Sequence, residues 1–179
     1  MYLRDEFKTA DARLRRLAQA IEGLAKKDEA TLRRAREIDM ARQRAAAELF
    51  IVCDGFVDAL NRLLAEPLVV LDPPSFPPER FRVDAPNLIQ INIRGRILQA
   101  AFEATPDLLS TEDFRIPYTL SGSVRAFNQA LLEKDLIEEQ LIFYTIERHR
   151  SMWRYFDART YRSGAFDRDY LVSLMDQLL

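Results

Sequence analysis

Between Arg148 and Arg162 the chain holds five arginines, one histidine and one acid, Asp157, with Trp153, Tyr155, Phe156 and Tyr161 set among them. Guanidinium forks bind phosphate oxygens two at a time, and flat aromatic rings stack on bases. Arg148, Arg150, Arg154, Arg159 and Arg162, with Trp153 and Tyr155, are therefore a candidate anion-binding set for nucleic acid or another polyanion. The same residues also fit an ordinary strand. Alternation then puts Trp153, Tyr155 and Asp157 on one face and Arg154 and Phe156 on the other, with rings inward and arginines solvated or paired.

Other chemistry is sparse. His149 is the only histidine, and Glu147 would share a strand face with it, the minimum for a base oriented by a carboxylate. Cys53 sits in a strongly apolar stretch, where a buried, inert thiol is expected. One Cys and one His do not make a zinc site. The run Glu133, Asp135, Glu138 and Glu139 lacks the calcium-loop spacing and reads as a helix surface. With five glycines the chain shows no phosphate loop, nucleophile elbow or dinucleotide fingerprint. No catalytic residue, cofactor or metal is implied, and the balance leans away from an enzyme.

The elements that would position these residues begin with a long helical arm. Steps of four and three from Leu3 reach Phe7, Ala10, Leu14, Leu17, Ile21, Leu24, Asp28, Thr31, Ala35, Ile38, Arg42, Ala45, Leu49, Val52, Phe56, Ala59 and Leu63. Fifteen of these eighteen positions are apolar. A 3.5-residue period marks helices that wrap around a partner helix. Leu3, Phe7, Leu14, Leu17, Ile21, Leu24 and Ile38 are the expected coiled-coil interface. One helix over residues 3 to 65 would be ~95 Å long at ~1.5 Å per residue. Alternatively, Lys26, Lys27, Asp28 and Glu29 turn the chain into an antiparallel helical hairpin. Arg33, Arg34, Arg36, Glu37, Asp39, Arg42 and Arg44 crowd the middle of the arm; the cluster could meet an anionic partner but reads as a solvated, charged face, with Arg42 itself at a stripe position. From Leu49 to Leu64 the apolar surface widens, so that part should also pack on a globular body.

Residues 1–66 are thus read as the arm and 67–86 as a proline-rich connector acting as a stiff spacer, with a short strand at Leu68–Leu71. Residues 87–179 are read as an α+β body. Leu88–Ile93 alternates as a strand, Arg94-Gly95-Arg96 can turn the chain, and Ile97–Glu103 reads as the returning strand; a single long strand kinked at Gly95 is the alternative. Ile116–Ala126 alternates again, although Ser121-Gly122-Ser123 could split it. Asn128–Gln140 suggests a helix, and Leu141–Glu147 and Met152–Thr160 suggest the last strands. Asp167 caps a closing helix, with Phe166 and Leu171 as its hydrophobic staple. The expected fold is α+β: a long N-terminal coiled-coil helix or helical hairpin, then an antiparallel sheet of four or five strands with a C-terminal helix.

The 179 residues suit one domain plus an arm. A net charge of −2 argues against wholesale binding to nucleic acid or anionic membranes. The start of the chain lacks the apolar run of a signal peptide, and no stretch is long enough to span a membrane. These features lead to the expectation of a cytoplasmic assembly or adaptor protein that pairs with itself, most simply as a homodimer, and binds another protein. A nucleic-acid or polyanion module built around Trp153 is the alternative.

Overall fold

The structure, a computed structural model, describes residues 2–109, 117–128, 138–148 and 150–179, and the side chains of 11–106, 117–128, 139–148 and 150–179. The N-terminal helix α1 runs as one element over Tyr2–Leu63, so the chain does not turn back at Lys26–Glu29. The polar residues there keep the helical period, and the segment lacks the proline that would end it. A sheet of seven antiparallel strands follows among the described residues. The strands are β1 (Val69–Asp72), β2 (Asn87–Ile93), β3 (Arg96–Leu109), β4 (Tyr118–Asn128), β5 (Glu138–Ile146), β6 (Ser151–Asp157) and β7 (Arg162–Ala165), each paired with the next. Helix α2 (Arg168–Leu178) closes the chain.

The chain forms two compact units, residues 1–40 and 41–179. The first is the N-terminal part of α1. The second is the body, which takes in the rest of α1 and the whole proline-rich connector. Its core fills one face of the sheet. Ile89, Ile91, Leu98, Ala100, Phe102, Leu120, Val124 and Ile142 point there, against Ala45, Leu49, Cys53 and Phe56 of α1 and Leu171, Leu174 and Met175 of α2. The register explains the choice of face: Ile89 stands opposite Ala100, Ala100 opposite Val124, and Leu120 opposite Tyr144. With a side-chain period of two, one such row places every second residue in the core. Tyr118, Phe143 and Phe156 form a smaller cluster on the other face.

The connector is packed rather than free. Phe76 and Phe81 are buried, and the Phe76 ring lies 6.2 Å from Phe50 and 6.3 Å from Phe102. Two asparagines hold its ends by bonding a backbone N–H and C=O at once, as a neighbouring strand would. Asn61 accepts from Val69 N at 3.0 Å and donates to Val69 O at 2.9 Å. Asn87 does the same with Arg82, at 2.9 Å each way.

The expected sheet of four or five strands has seven because two short edge strands join it. β7 is four residues with Ser163 and Gly164 inside it, too short and polar to alternate visibly. The strand expected over Met152–Thr160 stops at Asp157. There the carboxylate accepts from the backbone N–H of Arg159 (2.9 Å) and from the Thr160 hydroxyl (2.8 Å), which folds the chain into the β6–β7 turn. Asn128 ends β4, and residues 138–140 belong to β5. The helix expected over Asn128–Gln140 is therefore absent at both its ends, because Glu139 pairs with Arg125 and Gln140 with Val124 in the ladder; residues 129–137 lie outside the described ones.

At the C-terminus, Asp167 caps α2 by accepting from Tyr170 N at 3.0 Å, with Phe166 and Leu171 buried on either side of the cap. Asp167→Ala leaves that N–H unpaired and should cost about 1 kcal/mol. Thermal unfolding should then fall by roughly 2–4 °C; an unchanged midpoint would mean the cap does not hold α2.

Candidate functional site

Two surfaces follow from the sequence, and the structure treats them differently. The first is the apolar stripe of the N-terminal unit. Leu14 is 64% exposed, Leu17 57%, Ile21 57% and Leu24 61%. Four large apolar side chains in successive seam positions thus face water within a single chain. Ile38 is partly covered, and the side chains of Leu3 and Phe7 lie outside the described ones. The outer faces carry i,i+4 ion pairs, Asp11–Arg15 at 2.9 Å and Glu29–Arg33 at 3.7 Å, which support the helix weakly where it is solvated.

The stripe changes role at Arg42. This residue is buried in the body, where its Nε donates to the Thr119 hydroxyl at 3.0 Å and its Nη2 to the Thr105 carbonyl. β3 leaves its register with β4 just after Ala104, and Arg42 reaches the sheet at that irregularity. Ala45, Leu49 and Phe56 continue the same seven-residue pattern, yet they face the sheet. Cys53 is sealed among them, and burial, reinforced by Asp54, pushes its thiol up to about 12. A thiol so held is protonated and unreactive at neutral pH.

The second surface is the arginine-aromatic segment, which the fold disperses. Trp153 is 4% exposed, its indole N–H donates to Ala45 O at 2.7 Å, and its ring meets Phe102 and Tyr144 edge to face. Tyr155 lies on the same face, stacked flat on Tyr170 with centroids 4.1 Å apart. Arg154 points to the other face and pairs with Glu147 at 3.4 Å. Arg148 and Arg150 are exposed beside the β5–β6 turn. His149 lies outside the described residues, so its expected partnership with Glu147 is not described.

Only Tyr155, Arg159 and Arg162 of this set come together. They line a cleft of about 580 Å3 between the β6–β7 hairpin and α2. Tyr170 lines it too, its phenol pushed above the ordinary range by burial, then by Tyr155 and Asp157, and donating to Gln140 at 2.7 Å. Asp157, Asp167 and Asp169 share the cleft. The Thr160 hydroxyl and the neighbouring backbone N–H groups hold the Asp157 carboxyl below its usual range. Two arginines thus stand with three aspartates, which is not an anion trap. Sequence reasoning missed this cleft because α2 and the unforeseen strand β7 form its walls. Among the described residues, no group of three or more His, Cys, Asp or Glu side chains could hold a metal, and no helix is long and apolar enough to cross a membrane.

Together these features define an α+β protein: among the described residues, a long N-terminal helix with an exposed apolar stripe in its first unit, a seven-stranded antiparallel sheet and a C-terminal helix. Compared with known proteins, the chain matches no family model, no curated protein and no solved structure.

Proposed function

We propose that this protein is a non-enzymatic assembly or adaptor protein. Its N-terminal stripe pairs with the same stripe of a second copy as a coiled coil, and its β-rich body holds a protein partner. The observation that carries the reading is the exposure of Leu14, Leu17, Ile21 and Leu24 at seam spacing. At ~25 cal/mol per Å2 of apolar surface, covering the exposed half of each side chain contributes on the order of 1 kcal/mol. The pairing doubles that gain by using both copies. For the body, the support is an open row on the sheet's outer face. Leu88, Ala101, Ser123 and Leu141 stand opposite one another across β2 to β5, and the two leucines are exposed.

The polyanion alternative has less behind it. Trp153 is enclosed, Arg154 has an acidic partner, and the cleft holding Arg159 and Arg162 holds more carboxylates than guanidinium groups.

The test is sedimentation of the full-length chain and of a variant carrying Leu14→Lys and Leu17→Lys. The parent should sediment as a dimer. The variant puts four ammonium groups into one seam and should weaken pairing by about 4 kcal/mol or more, roughly a thousandfold in Kd. It should run as a monomer whose body melts at the parent's temperature. A parent that is monomeric at tens of micromolar, or a variant that keeps the parent's mass, would overturn the reading.

A further inference from the structure

The two paired helices can run in the same or opposite directions, and the residue pattern distinguishes these arrangements. We infer that the helices run antiparallel, centred near Gln19, with Leu14 opposite Leu24 of the second copy and Leu17 opposite its Ile21. This orientation rests on the assembly reading above and adds to it the geometry of the partner.

Three features carry the inference. The first is symmetry. Leu14, Leu17, Ile21 and Leu24 are separated by steps of three, four and three, which read the same in either direction. A two-fold axis across the helix at residue 19 therefore maps the exposed stripe onto itself. Each of the four exposed side chains gains a large apolar partner, as a self-complementary two-fold interface requires.

The second feature is the flank of the seam. In an antiparallel pair, positions that follow the second core residue of a heptad face their own kind, and so do positions that precede the first. Ala18 then lies opposite Ala25 of the second copy, and Ala20 opposite its counterpart. Small residues on both edges allow the helices to approach closely, and no charge borders the centre. Further out, Arg13 and Lys27 become neighbours across one edge. Both are exposed, and an exposed like-charge pair costs little, as an exposed ion pair gains little.

The third feature is Asp28, the next seam residue after Leu24. In a parallel, in-register pair it faces Asp28 of the second copy, placing two carboxylates together across the seam. Like charges at such a position oppose pairing. The antiparallel pair sets Asp28 opposite position 10, an alanine in the sequence. A parallel pair cannot offset the repulsion by extending its seam towards Leu63, because Arg42, Ala45 and Leu49 are committed to the body.

Spin labels on single cysteines settle the direction. Ala20→Cys and Leu32→Cys both lie beside the seam rather than in it. Cys53, 2% exposed, stays unlabelled in the folded chain, and the parent treated with label serves as the blank. In the antiparallel pair the two copies of residue 20 are about 3 Å apart along the axis and the two copies of residue 32 about 39 Å apart. Dipolar spectroscopy should give a short distance for the first and one near 40 Å for the second. In a parallel pair both distances stay under about 25 Å, set by helices roughly 10 Å apart plus the label arms. Short distances at both positions in a sedimenting dimer would overturn the orientation and leave the assembly intact. Loss of dipolar coupling at both, in a chain that sediments as a monomer, would overturn the orientation and the assembly together.

Discussion

Gly122→Ala is expected to destabilise the body by about 3 kcal/mol or more, while Gly55→Ala leaves it intact or slightly more stable. Both substitutions add one methyl group in regular secondary structure. They differ in what that carbon would meet. At Gly122 it would fall 2.0 Å from the carbonyl oxygen of Ala101 and 2.7 Å from the Cα of Phe102. These are backbone atoms of the adjacent strand, so no rotamer change relieves the overlap. Gly122 stands between Phe102 on β3 and Ile142 on β5, at the middle of the sheet. Moving one strand away from the other would disturb both ladders and the core beneath them. A glycine inside a strand marks such a close backbone approach. At Gly55, in α1, the added carbon has open space, and removing glycine from a helix interior is worth roughly 0.5–1 kcal/mol. Thermal unfolding of the two variants checks the contrast. The midpoint should drop by about 6–12 °C or more for Gly122→Ala and hold or rise for Gly55→Ala. Equal midpoints would mean that β3 and β4 do not approach as closely as described.

The same glycine shows where sequence reasoning loses the fold. Ser121-Gly122-Ser123 reads as a break because turns favour those residue types, yet here they form the centre of β4. Turn preference is local, and only the approach of β3 gives the glycine its purpose. The β2–β3 hairpin was legible because its signal is also local. Leu88 to Ile93 alternates, and the two-residue loop Arg94-Gly95 takes positive φ at both positions (50° and 90°), the geometry that glycine admits. The closing helix was legible for the same reason, through Asp167, Phe166 and Leu171. The heptad left one helix and a helical hairpin both open, of which the first is found, and it is silent on what fills the groove beside it. Leu17 and Leu49 occupy the same pattern; one is solvent-exposed and the other lies under the sheet. A 3.5-residue repeat and the 3.6-residue stripe of a helix lying on a sheet differ by only ~20° per heptad, too little to tell apart over three turns. The candidate cleft was illegible for a stronger reason. Its walls come from β5, β6, β7 and α2, and nothing in the alternation of Met152–Asp157 says that Tyr155 will lie against Tyr170.

Trp153→Ala should destabilise the body by about 3–5 kcal/mol, and Trp153→Phe by about 1–3 kcal/mol. Trp153 is the residue on which the structural and polyanion readings of the arginine-aromatic segment differ most. A ring that stacks on bases needs an open face. This ring is 4% exposed, bordered by Phe102 at 5.3 Å and Tyr144 at 5.6 Å. Truncation to alanine would leave a cavity between β6 and α1. Phenylalanine refills most of it but removes the N–H that Ala45 O accepts at 2.7 Å, so the smaller loss combines that bond with the remaining unfilled volume. Urea unfolding followed by circular dichroism measures both losses. The parent offers an independent check, because Trp153 is the chain's only tryptophan. Its emission should be blue-shifted and hardly quenched by iodide in the native state, then shift red and become quenchable in the same cooperative transition that melts the sheet. Free quenching of the native protein, or a Trp153→Ala variant as stable as the parent, would put the ring on the surface and restore it as a stacking platform. If instead the ring stays hidden, any polyanion that binds this chain must do so without it. The exposed Arg148 and Arg150, which have no aromatic partner in the ring contacts described, would be left to hold phosphates by charge alone, and such binding should weaken steeply with salt.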